Sequence, residues 1–211
     1  MRPPSEMSAG NDGSVVTRDI TRPIPNSYIV TGTRLVGGQY PGTCPDFPGA
    51  SPSAAAIEQL SSFLRAGITV FVDLTEKHDR YATLEPYDTL VKQLAADLGT
   101  EVDYVRLGTR DAEVCTVEHM REVLDTIDRF LDEGRAVYVH CYGGVGRTGM
   151  AIGCWLVRHG MSGEQALAEV ASLFATMSPE KISRNEGHGS PENDAQRKLV
   201  RNWAEEDRRA K

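Results

Sequence analysis

The stretch Val137-Tyr-Val-His-Cys-Tyr-Gly-Gly-Val-Gly-Arg-Thr-Gly149 constrains this chain more than any other. Val137 to His140 reads as a buried strand. A glycine-rich loop follows, and then an apolar helix from about Thr148 to His159. A short loop between a strand and a helix N-terminus turns successive backbone N–H groups inward and makes a nest for an anion. Glycines at 143, 144 and 146 allow backbone conformations that a side chain forbids. Arg147 adds a planar fork of donors that can hold two oxygens of one phosphoryl group. The same positive field falls on Cys141. Thiols at a helix N-terminus beside a guanidinium ionise readily, with pKa values drawn from about 8.5 down to ~3.5–7.5. The loop that holds a phosphate therefore also activates a nucleophile beneath it. Thr148 brings a hydroxyl that can donate to the sulfur.

His140-Cys141, five residues, then Arg147-Thr148-Gly149 resembles the signature of the cysteine-dependent protein tyrosine and dual-specificity phosphatases. The extended pattern His-Cys-x-x-Gly-x-Gly-Arg-Thr-Gly is far more specific than a bare Cys-x5-Arg, and its strand–loop–helix setting fits. Gly38-Gln-Tyr-Pro-Gly42 resembles the entry segment of the bacterial dual-specificity-like members. The resemblance runs in order and spacing from about Tyr28 to Trp203. It implies a single α/β domain, with a mostly parallel central sheet flanked by helices and a helical layer after the loop. It also implies a cysteinyl-phosphate mechanism that needs no metal or other cofactor. In that family the histidine at the position of His140 orients the loop and favours the thiolate. Tyr142, Gly143, Gly144, Val145 and Gly146 would cradle the substrate phosphate together with Arg147.

The rest of the chain narrows the partners. Its 211 residues suit one domain with a full core, and a flexible tail over 1–25 would precede a catalytic domain over 26–211. A net charge of −7 argues against a broad nucleic-acid or anionic-membrane footprint. Cys44, Cys115, Cys141 and Cys154 form no Cys-x-x-Cys pair, and the first 26 residues lack an apolar targeting core. We read them as reduced thiols of a cytoplasmic protein. No window carries the ~18 apolar residues of a membrane span. His78, His119, His159 and His188 are scattered, with no metal-ligand spacing. A monomer acting on a phosphorylated protein or peptide is expected.

Strands and helices alternate, as an α/β fold requires. Two short strands flank a turn at Gly32. A helix over Pro52 to Gly67, capped by Ser51, carries Ile57, Leu60, Phe63 and Leu64 at helical spacing. Ile68 to Leu74 is an apolar strand. Thr75 to Tyr81 reads as a polar loop at the carboxyl edge of the sheet, where ligands bind in such folds. Arg80 and Tyr81 are candidates to touch substrate there, a solvated charged loop being the commoner outcome. A helix over Pro86 to Leu98, a strand over Val102 to Leu107 and a Thr116-capped helix to Glu133 follow. After the loop come a helix over Gly163 to Met177, a polar segment over Ser178 to Ser190, and a last helix from about Pro191 to Arg209.

Cleaving a phosphate monoester needs a proton on the leaving oxygen, and a carboxylic acid on a nearby loop is the usual source. Asp111 lies just after the Val102–Leu107 strand and matches the family's acid loop in position, while Glu113 is close enough to compete. Ser190-Pro-Glu-Asn-Asp-Ala-Gln-Arg197 resembles the family's late glutamine loop, which makes Gln196 a candidate to position the hydrolytic water. A surface glutamine on an amphipathic helix is the alternative. Three functional readings stand. The first is a phosphatase acting on phosphotyrosine, and on phosphoserine or phosphothreonine, in proteins. The second is an inactive phosphate-binding module. The third is a phosphatase for a non-protein substrate such as a phosphoinositide or an RNA 5′ phosphate. Relatives that act on phosphoinositides often carry lysines inside the loop. The interior here, Tyr142 to Gly146, has no charge, which favours a substrate with one phosphate.

Overall fold

Strand β7 (Val137–Cys141) is buried along its whole length and lies in the middle of a five-stranded sheet. A computed structural model describes residues 20–42, 53–79, 82–84, 86–185 and 188–209. The sheet order is β1 (Ser27–Ile29), β2 (Leu35–Gln39), β7, β3 (Val70–Asp73), β6 (Asp103–Arg106). The β1–β2 pair is antiparallel and the other three pairings are parallel. Gln39 pairs with Cys141, and Asp73 with His140, so β2, β3 and β7 end together at one edge. Parallel neighbours need long crossovers, usually helical. Here they are α1 (Ala54–Arg65), α2 (Asp88–Asp97) and α3 (Val117–Asp132), with α4 (Gly146–Arg158), α5 (Gly163–Phe174), α6 (Pro179–Arg184) and α7 (Asp194–Arg209) after β7.

Alternating side chains of the strands serve two cores. Val137 and Val139 pack with α3, α4, α5 and α7 on one face. Tyr138 packs with Leu60 and Phe63 of α1 and Val91 of α2 on the other. Before β1, Ile20 and Ile24 lie against this second core, and the Thr21 N–H donates to Ala66 O at 3.2 Å.

The structure departs from the sequence reading at several points. Ser53 caps α1 by accepting from the Ala56 N–H at 3.1 Å, while Ser51 and Pro52 lie outside the described residues. Leu60, Phe63 and Leu64 are buried, but Ile57 sits off that stripe and is 38 % exposed. The Thr75–Tyr81 region is not all loop, since β4 (His78–Asp79) and β5 (Ala82–Thr83) form a small hairpin. The Ser178–Ser190 segment contains α6, started by Ser178, whose hydroxyl accepts from Lys181 N, and by Pro179 in the first turn. Six residues with no buried side chain leave no apolar period to read. Helix α7 begins at Asp194, beyond Pro191.

Two features position the loop after β7. Gly144 takes φ +73°, and a Cβ on it would lie 2.4 Å from the Gly38 carbonyl carbon of β2. Behind β7, a buried polar network holds His140. The Tyr87 hydroxyl lies 2.6 Å from Nε2, and Nδ1 faces Cys141 O at 3.4 Å and Asp73 Oδ1 at 3.8 Å. A neutral ring with its proton on Nδ1 satisfies both sides, because Tyr87 then donates to Nε2. Asp73 also accepts from Thr75 N, Thr75 Oγ1 and the Tyr104 hydroxyl, and it pairs with Arg106 at 3.5 Å.

Gly149 of α4 meets the segment before α7, since a Cβ there would stand 2.1 Å from Ser190 Oγ and 3.2 Å from Pro191 N. Ser190 Oγ donates to Val145 O at 2.8 Å, so Gly149→Ala must break that buried bond. The expected loss is ~1–3 kcal/mol in urea denaturation, partly restored by adding Ser190→Ala. Burial lowers the His140 pKa below its ordinary 6.5, with Asp73 opposing and Arg106 and Arg147 assisting. The unfolded chain then binds a proton where the folded one does not, so stability falls as the pH drops below ~6.5. Urea midpoints from pH 7.5 to 5.5 should show this fall in the wild type and a smaller one in His140→Asn.

Candidate active site

Cys141 ends β7 with 2 % exposure, and the Gly144 N–H donates to its Sγ at 3.2 Å. Helix α4 starts at Gly146, two residues earlier than the sequence reading, so Arg147 and Thr148 sit in its first turn. The orphan amides of that turn and the helix dipole face the sulfur's side of the loop and favour negative charge there.

Arg147 is 1 % exposed, and both terminal nitrogens of its fork donate. Nη1 donates to Asp79 Oδ2 at 2.8 Å, Thr109 O at 3.0 Å and Leu74 O at 3.4 Å. Nη2 donates to Asp111 Oδ1 at 2.9 Å. Burial disfavours the guanidinium charge, but Cys141, Asp79 and Asp111 outweigh it and raise the Arg147 pKa. Thr148, read as a donor to the sulfur, instead donates from Oγ1 to Gly38 O at 3.4 Å.

A cavity of about 400 Å³ opens over the loop, within the usual range for a small-ligand site. Cys141, Tyr142, Gly143, Val145, Gly146 and Arg147 form its floor. Asp111 and Ala112 form one wall, and Glu113 is not among the lining residues. The Glu113 side chain is 57 % exposed and pairs with Arg110 at 3.5 Å. Of the two candidate acids, only Asp111 therefore shares the cavity with Cys141. Ala112 takes φ +59°, uncommon for a residue with a side chain. Asn193 Nδ2 anchors that turn by donating to Ala112 O at 2.9 Å.

Gln196 is fully buried and does not line the cavity. Its Nε2 donates to Glu113 O at 3.4 Å, and its Oε1 accepts from Glu192 N at 3.2 Å. It is a tie between the Asp111 loop and the start of α7, buried rather than on the surface and away from the residues that line the cavity. Arg80, Tyr81 and Cys44 lie outside the described residues. Cys115 is half-buried and Cys154 buried, and burial pushes both thiols up. Among the described residues no helix is long and apolar enough to cross a membrane.

The sequence reading missed six residues of this region. Asp79 comes from the hairpin at the edge already assigned to ligands, but nothing local marked it as the partner of Arg147. Lys181 from α6, and Glu192 and Asn193 before α7, line the cavity with Asn185 and His188. They reach it through packing between distant segments, for which the sequence carries no local signal.

The chain resembles known proteins in the same terms. Zebrafish protein tyrosine phosphatase domain-containing protein 1 is 26 % identical over 125 residues, 56 % of this chain and 17 % of that protein. Phosphatidylglycerophosphate phosphatase PTPMT1 of Arabidopsis thaliana is 33 % identical over 91 residues, 42 % of this chain and 27 % of that protein. The chain thus spans less than a third of either curated relative. Among solved structures, Tk-PTP in its active form superimposes with a TM-score of 0.59 at 23 % identity, covering 86 % of this chain and 97 % of that one. Human DUSP28 gives 0.54 at 18 % identity, covering 90 % and 99 %. These likenesses establish the fold. The model of the family described as "Polymorphic toxin system, DSP-PTPase phosphatase" matches residues 48–161, just over half of the chain. With the cysteine, the arginine fork and the strand–loop–helix turn that the match contains, the chain belongs to this family of dual-specificity-type cysteine phosphatases.

Proposed function

We propose that the protein hydrolyses phosphate monoesters through a cysteinyl-phosphate intermediate. The observation that carries this reading is the convergence of Cys141, Arg147 and Asp111 on one cavity. Incoming phosphoryl oxygens bind the amides of the loop and the Nη2 edge of Arg147, and Asp111, freed from that contact, takes up a proton from solvent. The Cys141 thiolate attacks phosphorus as the bond to the leaving oxygen breaks, and Asp111 gives that oxygen its proton. Asp111, now a carboxylate, takes a proton from water, and the resulting hydroxide attacks phosphorus. The sulfur leaves as thiolate with the release of inorganic phosphate. The loop amides and Arg147 act on charge that moves onto the equatorial oxygens during transfer, which is where rate is gained.

Phosphotyrosine, with phosphoserine and phosphothreonine, in a protein is the substrate class we assign. Tyr142, 38 % exposed at the cavity floor, offers an aromatic surface beside the loop. A lipid phosphate is a second reading. It is favoured by the resemblance to the phosphatidylglycerophosphate phosphatase and by a fold shared with PTPMT1 solved in complex with PI(5)P, at TM-score 0.59 and 17 % identity over 88 % of this chain and 99 % of that one.

Hydrolysis of para-nitrophenyl phosphate with EDTA present tests the chemistry. Wild type should turn over, Cys141→Ser should be inactive, and Asp111→Asn should lose ~10²–10⁴-fold in kcat, the range for a lost general acid. Activity that survives Cys141→Ser would sink the mechanism. Phosphopeptides compared with short-chain phosphatidylinositol phosphate then decide between the two substrate readings.

A further inference from the structure

The charges around the cavity are not evenly matched. Arg147 carries a full positive charge, but Asp79 and Asp111 already answer it at 2.8 and 2.9 Å. Lys181 is the second cation of the cavity, and among the described residues it forms no ion pair. It is half-buried, with its ammonium over the loop: a Cβ built on Gly143 would be 3.6 Å from Nζ. Its backbone is placed by the start of α6, where its N–H donates to the Ser178 hydroxyl at 3.2 Å. Burial lowers the Lys181 pKa, with Cys141 opposing and Arg184 assisting, so an anion seated beside the ammonium would stabilise its charge. Glu192 stands on another side, against Gly146, where a Cβ would lie 2.4 Å from its Oε1, and it biases an anion toward the Lys181 wall.

We infer that Lys181 is a specificity-determining residue that binds a second anionic group, a phosphate or a carboxylate, carried on the same molecule as the scissile phosphate. The uncharged interior of the loop holds one phosphate, and the second charge is read from α6, outside the loop. This inference rests on the phosphatase reading of the same cavity. It is specific to Lys181, because the other cation, Arg147, is committed to Asp79 and to the first phosphate.

The test is calorimetric titration of Cys141→Ser, alone and combined with Lys181→Met or Lys181→Arg, using three probes: inorganic phosphate, ethane-1,2-diphosphonate and 3-phosphonopropionate. Thermal unfolding checks that each variant is folded. A two-anion probe should bind the parent about tenfold or more tighter than phosphate, the worth of one charge-assisted hydrogen bond. That preference should fall to about twofold in Lys181→Met and return in Lys181→Arg. The order of the diphosphonate and the phosphonocarboxylate states which second group fits. No preference in the parent, or a preference unchanged in Lys181→Met, overturns the inference. Equal weakening of all three probes in Lys181→Met also overturns it, because Lys181 would then serve the loop or the first phosphate. Failure of every probe to bind a folded parent overturns the inference together with phosphate binding by the loop. Absence of para-nitrophenyl phosphate turnover in an otherwise phosphate-binding wild type would instead count against the catalytic reading alone.

Discussion

A guanidinium with almost no exposure is tolerable only if the surrounding chain matches its charge, and the architecture at the carboxyl edge is built around doing so for Arg147. Its partners come from the end of β3, the β4–β5 hairpin and the loop after β6. Removing one partner of a buried charge pair commonly costs 3–5 kcal/mol, because the survivor is left uncompensated. In the proposed mechanism, the charge that orders three segments in the folded chain is also the one offered to a phosphoryl group. Folding and ligand binding therefore draw on one electrostatic arrangement.

The backbone around it is set by close approach rather than by side-chain packing. Gly144 lies against β2, with no room for a Cβ beside Gly38 and Gln39. Gly149 lies against Ser190 and Pro191. The loop is thus pressed against β2 at Gly144, whose N–H meets Cys141 Sγ, and α4 against the α7 side at Gly149. The buried chain Tyr87–His140–Asp73–Tyr104 stiffens the strand beneath, each polar group finding a partner as burial requires.

Much of this was legible in the sequence because it is local. Strand β7, the glycine loop and Arg147 are contiguous, and helix α3 announces itself by its apolar period and its Thr116 cap. Asp111 was legible from its place after a strand. The remainder depends on segments far apart in the chain. Asp79 reaches Arg147 across the hairpin. Gln196 has the composition of a surface residue, yet is buried because two loops need a tie. Helix α6 is six residues long and has no buried side chain, so no periodicity marks it. The uncharged loop interior pointed to a site with one phosphate, whereas Lys181 brings a cation from α6 that loop composition cannot report.

The turn at Ala112 carries a further consequence. The Asp111 loop is fastened by Asn193 at Ala112 O, by Gln196 at Glu113 O and by Arg147 at the carboxylate. Fixing one residue's backbone costs roughly 1–2 kcal/mol of conformational entropy. With these fastenings the loss falls at folding, together with the strain of the positive φ, and not at the encounter with a ligand. A ligand that reaches Cys141 therefore meets a loop backbone already in place, and only the Arg147–Asp111 contact has to be exchanged.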